Sequence, residues 1–209
     1  MSALNTILLP ISAPNAIERA LAVLSADGLV AFPTDTVYGV GALIHSTAGI
    51  DRLYEAKARS ANKAIAVLIG DPAHLDQLTP GLPPFAQLLA AHYWPGALTL
   101  VVPRRAELPA NLSSLPTVGV RMPNHPFALE LLRRTGPMAV SSANLSGEAN
   151  TLTAQQVWEQ LAGRVELILD GGPVPGGVPS TVVDCTQDSL RILRHGAISE
   201  EEIIRLLRA

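Results

Sequence analysis

The chain has 209 residues, of which 48% are hydrophobic and only 16% are charged, and this composition excludes an intrinsically disordered protein. The net charge of −3 and the pI of about 5.9 argue against a surface adapted as a whole to nucleic acid, for which a strongly basic domain is expected. The length predicts a single domain over residues 1–209, with its core at about 14–199.

The first residues and the cysteine count predict a cytoplasmic protein without a membrane segment. The first arginine is Arg19, and Pro10 interrupts the short run ILLPI, so the basic flank and long apolar stretch of a secretory signal are missing. No stretch approaches the ~18 apolar residues of a membrane helix. The single cysteine, Cys185, excludes an internal disulfide and a cysteine-cluster metal site, and it is expected to be a core residue on a strand.

The charges are unevenly distributed along the chain. From Lys57 to Arg134 there are eight Lys or Arg residues against four Asp or Glu, whereas the rest of the chain has seven against fourteen. This asymmetry predicts a local site for an anionic ligand.

Helical and strand patterns alternate along the chain, which predicts an α/β domain. Asn15, followed by Glu18, has the pattern of a helix N-cap, and Gly28 is expected to end that first helix. The run LVAF predicts a buried strand that ends at Pro33, and VYGVGAL predicts a second extended segment. A second helix is predicted in STAGIDRLYEAK, with Lys57 at its C-terminal end and IAVLIG as the next strand.

The second half of the chain continues this alternation. Helices are predicted near 84–93, 126–134, 153–162 and 199–208, and strands at LTLVVP, VGVRMP, MAVSS, VELILD, STVVDC and RILR. The segment GGPVPGGVPS, residues 171–180, contains four Gly and three Pro and is predicted to be a loop. Such a loop is equally compatible with a plain connection and with a mobile cover over a site.

The sequence lacks the motifs of the common nucleotide-binding and zinc folds. It contains no G-x-x-x-x-G-K-[ST] loop, no G-x-G-x-x-G at a helix start, no H-E-x-x-H and no G-x-S-x-G, and its five histidines are scattered. Candidate functional residues are therefore sought in polar clusters at the predicted strand ends, where α/β proteins bind ligands.

The first polar cluster is FPTDTVYG, in which Thr34, Asp35 and Thr36 follow a buried strand. These three side chains would leave the sheet at one edge. On its own, the segment is better explained as a turn whose side chains bind their own backbone.

The second polar cluster is KARSANK, which holds the three cations Lys57, Arg59 and Lys63. The helix dipole favours one cation near a helix C-terminus, at ~0.3–1 kcal/mol. Three cations exceed that need, although a solvated surface is the commonest fate of such a run. A phosphate or carboxylate ligand would use Arg as a bidentate fork and Lys as a point charge.

The third polar cluster is SSANLSGE, residues 141–148, directly after the predicted strand MAV. Its small side chains and Gly147 allow backbone and hydroxyl groups to approach a ligand closely. Four further polar residues stand on strands or at strand ends, and each alone is more simply explained as structural: Arg121, Ser180, Thr181 and Arg194.

Together these segments resemble the YrdC-like domain of threonylcarbamoyl-AMP synthases. The resemblance rests on FPTDTVYGVGA, KARSANKAIAVLI, HYWPGALTLVV, VGVRMPNHP, SSANLSGE, PSTVVD and RILRHGAIS, which run in the family's order from about Phe32 to Ser199. It implies a twisted, open, mixed sheet flanked by helices, with a concave basic cavity, in the short single-domain form. A diverged branch of the family lacks the Ser-Ser-x-Asn segment and the full set of cations, and both are intact here.

The resemblance implies that the protein makes threonylcarbamoyl-AMP and pyrophosphate from L-threonine, bicarbonate and ATP, for the modification of adenosine 37 in tRNA. Mg²⁺ would be carried with ATP, held by phosphates and water, with Asp35 as a weak candidate and no dedicated metal ligands. The family also implies downstream proteins that transfer the threonylcarbamoyl group to tRNA. A direct contact with tRNA would be weak.

The implied reaction joins two anions, a carbamate and ATP, so the protein must chiefly neutralise charge and align the two groups. On this basis the catalytic residues are Lys57, Arg59 and Lys63. The nucleotide-binding residues are Thr34, Lys57, Arg59, Ser141, Ser142, Asn144, Ser180 and Arg194. The threonine-binding residues are Thr36, Tyr38, Lys63, Arg121 and Thr181.

Two alternative functions stay open on the sequence alone. A nucleic-acid-binding module of the same fold would explain the basic central segment, but an aromatic content of 4% leaves few stacking platforms. A carbamoyl-transfer domain in metallocentre maturation would keep the fold and change the reaction. The chain contains no acylphosphatase-like or zinc-finger segment that would favour it.

Overall fold

A computed structural model describes residues 4–60, 63–187 and 189–208, so residues 61 and 62 of the KARSANK cluster lie outside the described residues. The strands are β1 (Ile7–Pro10), β2 (Val30–Phe32), β3 (Gly39–Leu43), β4 (Ala66–Leu68), β5 (Leu98–Pro103), β6 (Thr117–Arg121), β7 (Met138–Ser142), β8 (Leu167–Asp170), β9 (Thr181–Asp184) and β10 (Arg191–Arg194). The α-helices are α1 (Ala16–Ser25), α2 (Thr47–Ala56), α3 (Pro84–Tyr93), α4 (Pro126–Thr135), α5 (Ala154–Leu161) and α6 (Glu200–Arg208).

The strands form one open, mixed sheet in the order β1-β8-β2-β3-β7-β4-β6-β5-β9-β10. Four neighbouring pairs are parallel, for example β4 with β6 and β5 with β9, and the others are antiparallel, for example β3 with β7. The α/β class predicted from the alternating patterns is therefore confirmed.

Helices cover the two faces of the sheet unequally. Because successive strand residues point to opposite faces, Val67, Leu100 and Val120 lie in one large apolar cluster, to which α2, α3, α5 and α6 contribute. Full burial of each such side chain contributes about 1.5–3 kcal/mol. On the other face, α1 and α4 pack in a second cluster over β2, β4, β7 and β8, with Phe32 and Met138 among its members.

The end of the first helix differs from its prediction. Asn15 stands at the N-cap position, but its side chain makes no capping hydrogen bond. The helix ends at Ser25, and the residue with a left-handed backbone is Asp27, with φ of 57°, rather than Gly28. Asp tolerates this conformation because its side chain is short and polar. Gly28 is required for another reason, since a Cβ there would lie 2.6 Å from Cγ1 of Val23.

Three elements were not predicted. Strand β1 is a half-exposed edge strand, where its final Pro10 is tolerated because an edge strand does not need every amide in the ladder. Two short 3₁₀ helices span Pro72–Gln77 and Ala110–Leu112. Among the described residues, no helix has both the length and the apolar character required to cross a membrane.

Candidate active site

A cavity of about 470 Å³ lies on the face of the sheet where β4, β5, β6, β7 and β9 contribute alternate side chains. Ala66 and Gly119 are small and stand in the floor, and a Cβ at Gly119 would lie 3.2 Å from Cγ2 of Thr99. The structure brings the following predicted site residues together around this cavity: Thr34, Thr36, Arg59, Arg121, Ser141, Ser142, Ser180 and Arg194.

The end of α2 sends Lys57 and Arg59 in different directions. The amide of Ala58 donates to the carbonyl of Glu55 at 3.0 Å. The amide of Arg59 donates to the carbonyl of Tyr54 at 2.9 Å. These two bonds form a Schellman motif, in which the residue after the C-cap has a left-handed backbone. Here that residue is Ala58, with φ of 48°, at a position that usually holds Gly.

Lys57 is buried and does not line the cavity. Only 1% of the residue is exposed, and its ammonium group donates to the backbone carbonyls of Ser142 and Asn144. Burial, and secondly the nearby charge of Arg59, lower the pKa of Lys57 from 10.5 to about 7. Lys57 therefore contacts the site indirectly. Its ammonium group binds backbone carbonyls at and just after the end of β7, and Ser142 at that end lines the cavity.

Arg59 lines the cavity from the loop that follows α2. Its Nε donates to the carbonyl of Lys63 at 3.2 Å, and its Nη2 donates to the carbonyl of Ala64 at 2.9 Å. The hydroxyl of Tyr54 donates to the same Lys63 carbonyl. These bonds fix the guanidinium group against the loop. The side chain of Lys63 is exposed and is not among the cavity-lining residues.

Arg121 is buried at the C-terminal end of β6 and ties that strand to the turn after β2. Its Nη2 lies 2.5 Å from Oδ1 of Asp35, and its Nη1 donates to Oγ1 of Thr36 at 3.0 Å. Nε donates to the carbonyl of Gly96 at 2.9 Å. Desolvation lowers the pKa of Arg121, while Asp35 opposes that shift. Asp35, the weak metal candidate, is thus paired with a guanidinium group. Among the described residues there is no cluster of three or more His, Cys, Asp or Glu side chains suited to a metal ion.

The turn after β2 combines both explanations that the sequence allowed. Thr34 satisfies its own backbone, because its hydroxyl donates to the carbonyl of Val37 at 2.6 Å and accepts from the amide of Thr36 at 3.2 Å. Asp35 and Thr36 instead reach Arg121. The turn therefore supplies both a rigid backbone and polar atoms at the cavity wall.

The two serines at the end of β7 line the cavity, whereas Asn144 does not. Ser142 pairs with Gly39 of β3, so its position is set by the sheet register. The Nδ2 group of Asn144 donates to the carbonyls of Leu145 and Glu148, each at 2.8 Å. Its Oδ1 is buried and has no hydrogen-bond partner among the described residues. Asn144 shapes the loop, and its proposed contact with a nucleotide stays a prediction.

On the far side of the cavity, Ser180 holds Arg194. Nε and Nη2 of Arg194 donate to the Ser180 carbonyl at 3.1 and 2.9 Å. Thr181 is fully buried and does not line the cavity, because its hydroxyl donates to the carbonyl of Ile198 at 2.6 Å and accepts from the amide of the same residue at 3.0 Å. A direct role for Thr181 in binding threonine stays a prediction.

The loop 171–180 lies against the cavity wall. The Tyr38 hydroxyl, which does not line the cavity, donates to the carbonyl of Gly172 at 2.7 Å and so fixes the start of the loop. Burial raises the pKa of Tyr38. A Cβ at Gly176 would lie 1.3 Å from the carbonyl oxygen of Thr36, so only glycine permits this approach. Both explanations of the loop, a plain connection and a mobile cover, stay open.

Sequence reasoning missed several cavity-lining residues. Thr99, Thr117 and Asn150 line the cavity with polar groups, and Leu115 and Leu193 line it with aliphatic ones. A signal for Thr99 was present in the strand LTLVV, since one polar residue alternates there with buried apolar ones. Such a residue points to a face of the sheet that is not purely hydrophobic.

Comparisons with known proteins identify close relatives. A family model described as Sua5_yciO_yrdC, Telomere recombination, matches residues 22–196. A protein named threonylcarbamoyl-AMP synthase from Bacillus subtilis (strain 168) is 44% identical, with 90% of this chain and 55% of that protein covered. A protein named putative threonylcarbamoyl-AMP synthase from Mycobacterium tuberculosis (strain ATCC 25618 / H37Rv) is 42% identical, with 91% and 88% covered.

A solved structure has the same fold as this chain. The crystal structure of P. abyssi Sua5 complexed with L-threonine superposes with a TM-score of 0.92 at 38% identity. It covers 97% of this chain and 61% of the P. abyssi chain. The chain thus spans just over half the length of the Bacillus relative, and most of the length of the Mycobacterium one.

Proposed function

We propose, from the premise that the chain belongs to the Sua5, YciO and YrdC family, that it is a threonylcarbamoyl-AMP synthase. The resemblance inferred from the sequence motifs is confirmed at the level of this family. The proposed reaction is a nucleotidyl transfer that converts L-threonine, bicarbonate and ATP into threonylcarbamoyl-AMP, pyrophosphate and water. Mg²⁺ arrives with ATP. The product passes, in the cytoplasm, to proteins that transfer the threonylcarbamoyl group to adenosine 37 of tRNA.

The observation that carries this proposal is the convergence of three guanidinium groups on one cavity. Arg59 comes from the loop after α2, Arg121 from β6 and Arg194 from β10. Of these, Arg121 is paired with a carboxylate, while hydrogen bonds to backbone carbonyls orient Arg59 and Arg194. A carbamate and a triphosphate repel each other, and cations already held in place around a partly enclosed cavity offset that repulsion without further reorganisation.

The residues support a reaction in which the protein orients its substrates and takes no covalent part. The amine of threonine first combines with bicarbonate, with loss of water, to give a carbamate. An oxygen of this carbamate then attacks the α-phosphorus of ATP, and the bond from that phosphorus to pyrophosphate breaks in line with the attack. Arg59 and Arg194 are assigned to phosphoryl oxygens, and Arg121 with Thr36 to the amino-acid carboxylate. Ser141 and Ser142 donate hydroxyl hydrogens to the nucleotide. Lys57 is assigned a positioning role, because its ammonium group binds the Ser142 carbonyl.

Removal of the Arg59 guanidinium tests the proposal. We expect purified Arg59→Ala to fold normally and to lose about 3 kcal/mol of transition-state stabilisation, on the order of 100-fold in kcat/KM for ATP. The measurement is the rate of threonylcarbamoyl-AMP formation by mass spectrometry. Arg133→Ala is the matched control, because the Arg133 side chain lies on α4 with 49% exposure. Product formation by Arg59→Ala at the wild-type rate would contradict the assignment.

Two further measurements separate the open alternatives. Product masses obtained from a mixture of amino acids identify the amino acid that the protein uses, and a predominant threonyl product is expected. Filter binding of tRNA at two salt concentrations addresses the RNA-binding alternative. Tight and steeply salt-dependent binding without ATP turnover would favour that alternative over the synthase.

A further inference from the structure

Hydrogen bonds to Ser180 hold Nε and Nη2 of Arg194 and leave Nη1 available to a ligand. Its Nε donates to the Ser180 carbonyl at 3.1 Å, and its Nη2 donates both to that carbonyl at 2.9 Å and to Ser180 Oγ at 3.0 Å. Within the described part of the chain, Nη1 has no hydrogen-bond partner, and the residue lines the cavity. The two hydrogens on Nη1 are therefore the ones that a ligand can receive.

The Ser180 hydroxyl that accepts from Arg194 is also bonded to Thr99. The two hydroxyl oxygens lie 2.8 Å apart, and the residues are only 4% and 7% exposed. A bond between two hydroxyls uses one of their two hydrogens, and Arg194 has no acceptor that could take the other. The described residues offer neither hydroxyl a further acceptor. Whichever oxygen donates in the Thr99–Ser180 bond, one O–H donor is left over.

The backbone and packing fix the orientation of Thr99. It lies on β5 in register with Val182 of β9, which places it beside the segment that carries Ser180. Its methyl group lies over Gly119 of the neighbouring strand, 3.2 Å from the position that a Cβ would occupy there. Because a β-branched side chain has few χ1 rotamers, the methyl contact also determines where the hydroxyl points.

We propose that Thr99 is a substrate-binding residue: the Ser180 hydroxyl accepts from Arg194 and donates to Thr99, and Thr99 gives its own hydroxyl hydrogen, beside Nη1 of Arg194, to an anionic oxygen of the substrate. This inference rests on the proposed function, which supplies two sources of such an oxygen, the phosphates of ATP and the carboxylate of threonine. Both accept hydrogen bonds only, and a bond from a buried hydroxyl to a charged oxygen is stronger than one to a neutral acceptor. No proton is transferred.

The test replaces the Thr99 hydroxyl and measures each ligand separately. Wild-type protein, Thr99→Val and Thr99→Ser are titrated by calorimetry with ATP, with inorganic pyrophosphate and with L-threonine. Thr99→Val keeps the shape of the side chain, and we expect its affinity for at least one of the three to fall by about 10-fold, the effect of one hydrogen bond to a charged group. Thr99→Ser retains the hydroxyl and is expected to recover most of that loss.

Thr6→Val is the matched control. Thr6 is 8% exposed, its hydroxyl donates to the carbonyl of Val165 at 2.6 Å, and it does not line the cavity. This variant is expected to lower the melting temperature while all three affinities stay at the wild-type value. A loss of ATP and pyrophosphate affinity in Thr99→Val assigns the pair to a phosphate, and a loss of threonine affinity assigns it to the carboxylate.

Two results would overturn the inference alone: unchanged affinities for all three ligands in folded Thr99→Val, or equal losses in Thr6→Val. Wild-type protein that binds none of the three ligands would overturn the proposed function and this inference together. The two failures are therefore distinguishable from the wild-type titrations.

Discussion

Ala58 carries local backbone strain at the point where two cations separate. The Schellman motif requires a left-handed residue directly after Lys57, and an L-residue with a Cβ adopts that conformation at a cost of roughly 1–2 kcal/mol. The motif turns Lys57 inward and leaves Arg59 at the cavity wall. The position of both charges therefore depends on Ala58, a residue that does not line the cavity.

Replacing this alanine with glycine should stabilise the fold. We expect Ala58→Gly to raise the free energy of unfolding by about 1 kcal/mol in urea denaturation, because glycine adopts the left-handed conformation freely. Ala22→Gly is the control, since Ala22 is exposed within α1 and glycine there should cost about 0.5–1 kcal/mol. Destabilisation by both variants would show that the left-handed conformation is absent in solution.

The buried Lys57 predicts a pH-dependent stability. Its pKa is lowered to about 7 in the native state, whereas the unfolded chain retains the ordinary value of 10.5. Between these values the unfolded state binds more protons, so the free energy of unfolding rises with pH. We expect an increase of about 2 kcal/mol from pH 7 to pH 9 in wild-type protein and its absence in Lys57→Met. Lys63→Met should retain the increase, and a flat wild-type profile would contradict the lowered pKa.

For individual residues, the sequence predicted which types of side chain lie near the cavity better than it predicted the direction in which each side chain points. Arg59, Arg121 and Arg194 line one cavity, as the family resemblance implied. Lys57 and Thr181 were also assigned to substrates, yet their side chains bind backbone carbonyls. The direction of a side chain at the end of a helix depends on the capping geometry, and a left-handed alanine gives no recognisable sequence signal.

Among the secondary-structure elements, β6 and the turn after β2 are joined by the buried Arg121–Asp35 pair, whose side chains are 8% and 16% exposed. We expect Asp35→Ala to lower the free energy of unfolding by about 3 kcal/mol, because it leaves an unpaired buried charge. Glu130→Ala, which breaks an exposed pair with an N–O distance of 4.0 Å, should cost less than about 1 kcal/mol. Urea denaturation of both variants checks this, and similar losses would mean that the Arg121 charge is hydrated.

The predicted helices and the strands after the first helix follow the apolar periodicity closely, but their order in the sheet does not follow from it. Strand β7 lies between β3 and β4, and β6 separates β4 from β5. These pairings depend on contacts between residues far apart in the chain, which periodicity does not encode. Strand β1 was missed because its run is short and ends in proline.

For the whole molecule, Cys185 offers a probe of cooperative unfolding. The thiol is 2% exposed, and burial, followed by the charge of Asp184, raises its pKa to about 12. Because the thiolate is the reactive form, we expect labelling by a thiol reagent at pH 8 only after global unfolding, with the same urea dependence as the tryptophan fluorescence. Labelling with a much weaker urea dependence would reveal local opening of β9 and β10.

The cavity itself arises from the arrangement of all the layers. Helices α1 and α4 cover one part of a sheet face, and alternate residues on the uncovered part of the same face, including Ala66 and Gly119, form the floor. Sequence patterns identify an amphipathic helix but not the strands that it covers. A concave cavity could therefore be predicted from the sequence only through the family resemblance.

Lysine occurs in the sequence only at positions 57 and 63, and of these Lys57 is enclosed while Lys63 is exposed on the loop that carries Arg59. Amine-directed dyes, cross-linkers and biosensor surfaces will consequently attach at this loop or at the N-terminal amine. The enclosed Cys185 offers no alternative handle. Immobilisation for binding assays should use an affinity tag at a chain end, since coupling through lysine would tether the protein at the loop that carries the cavity-lining Arg59.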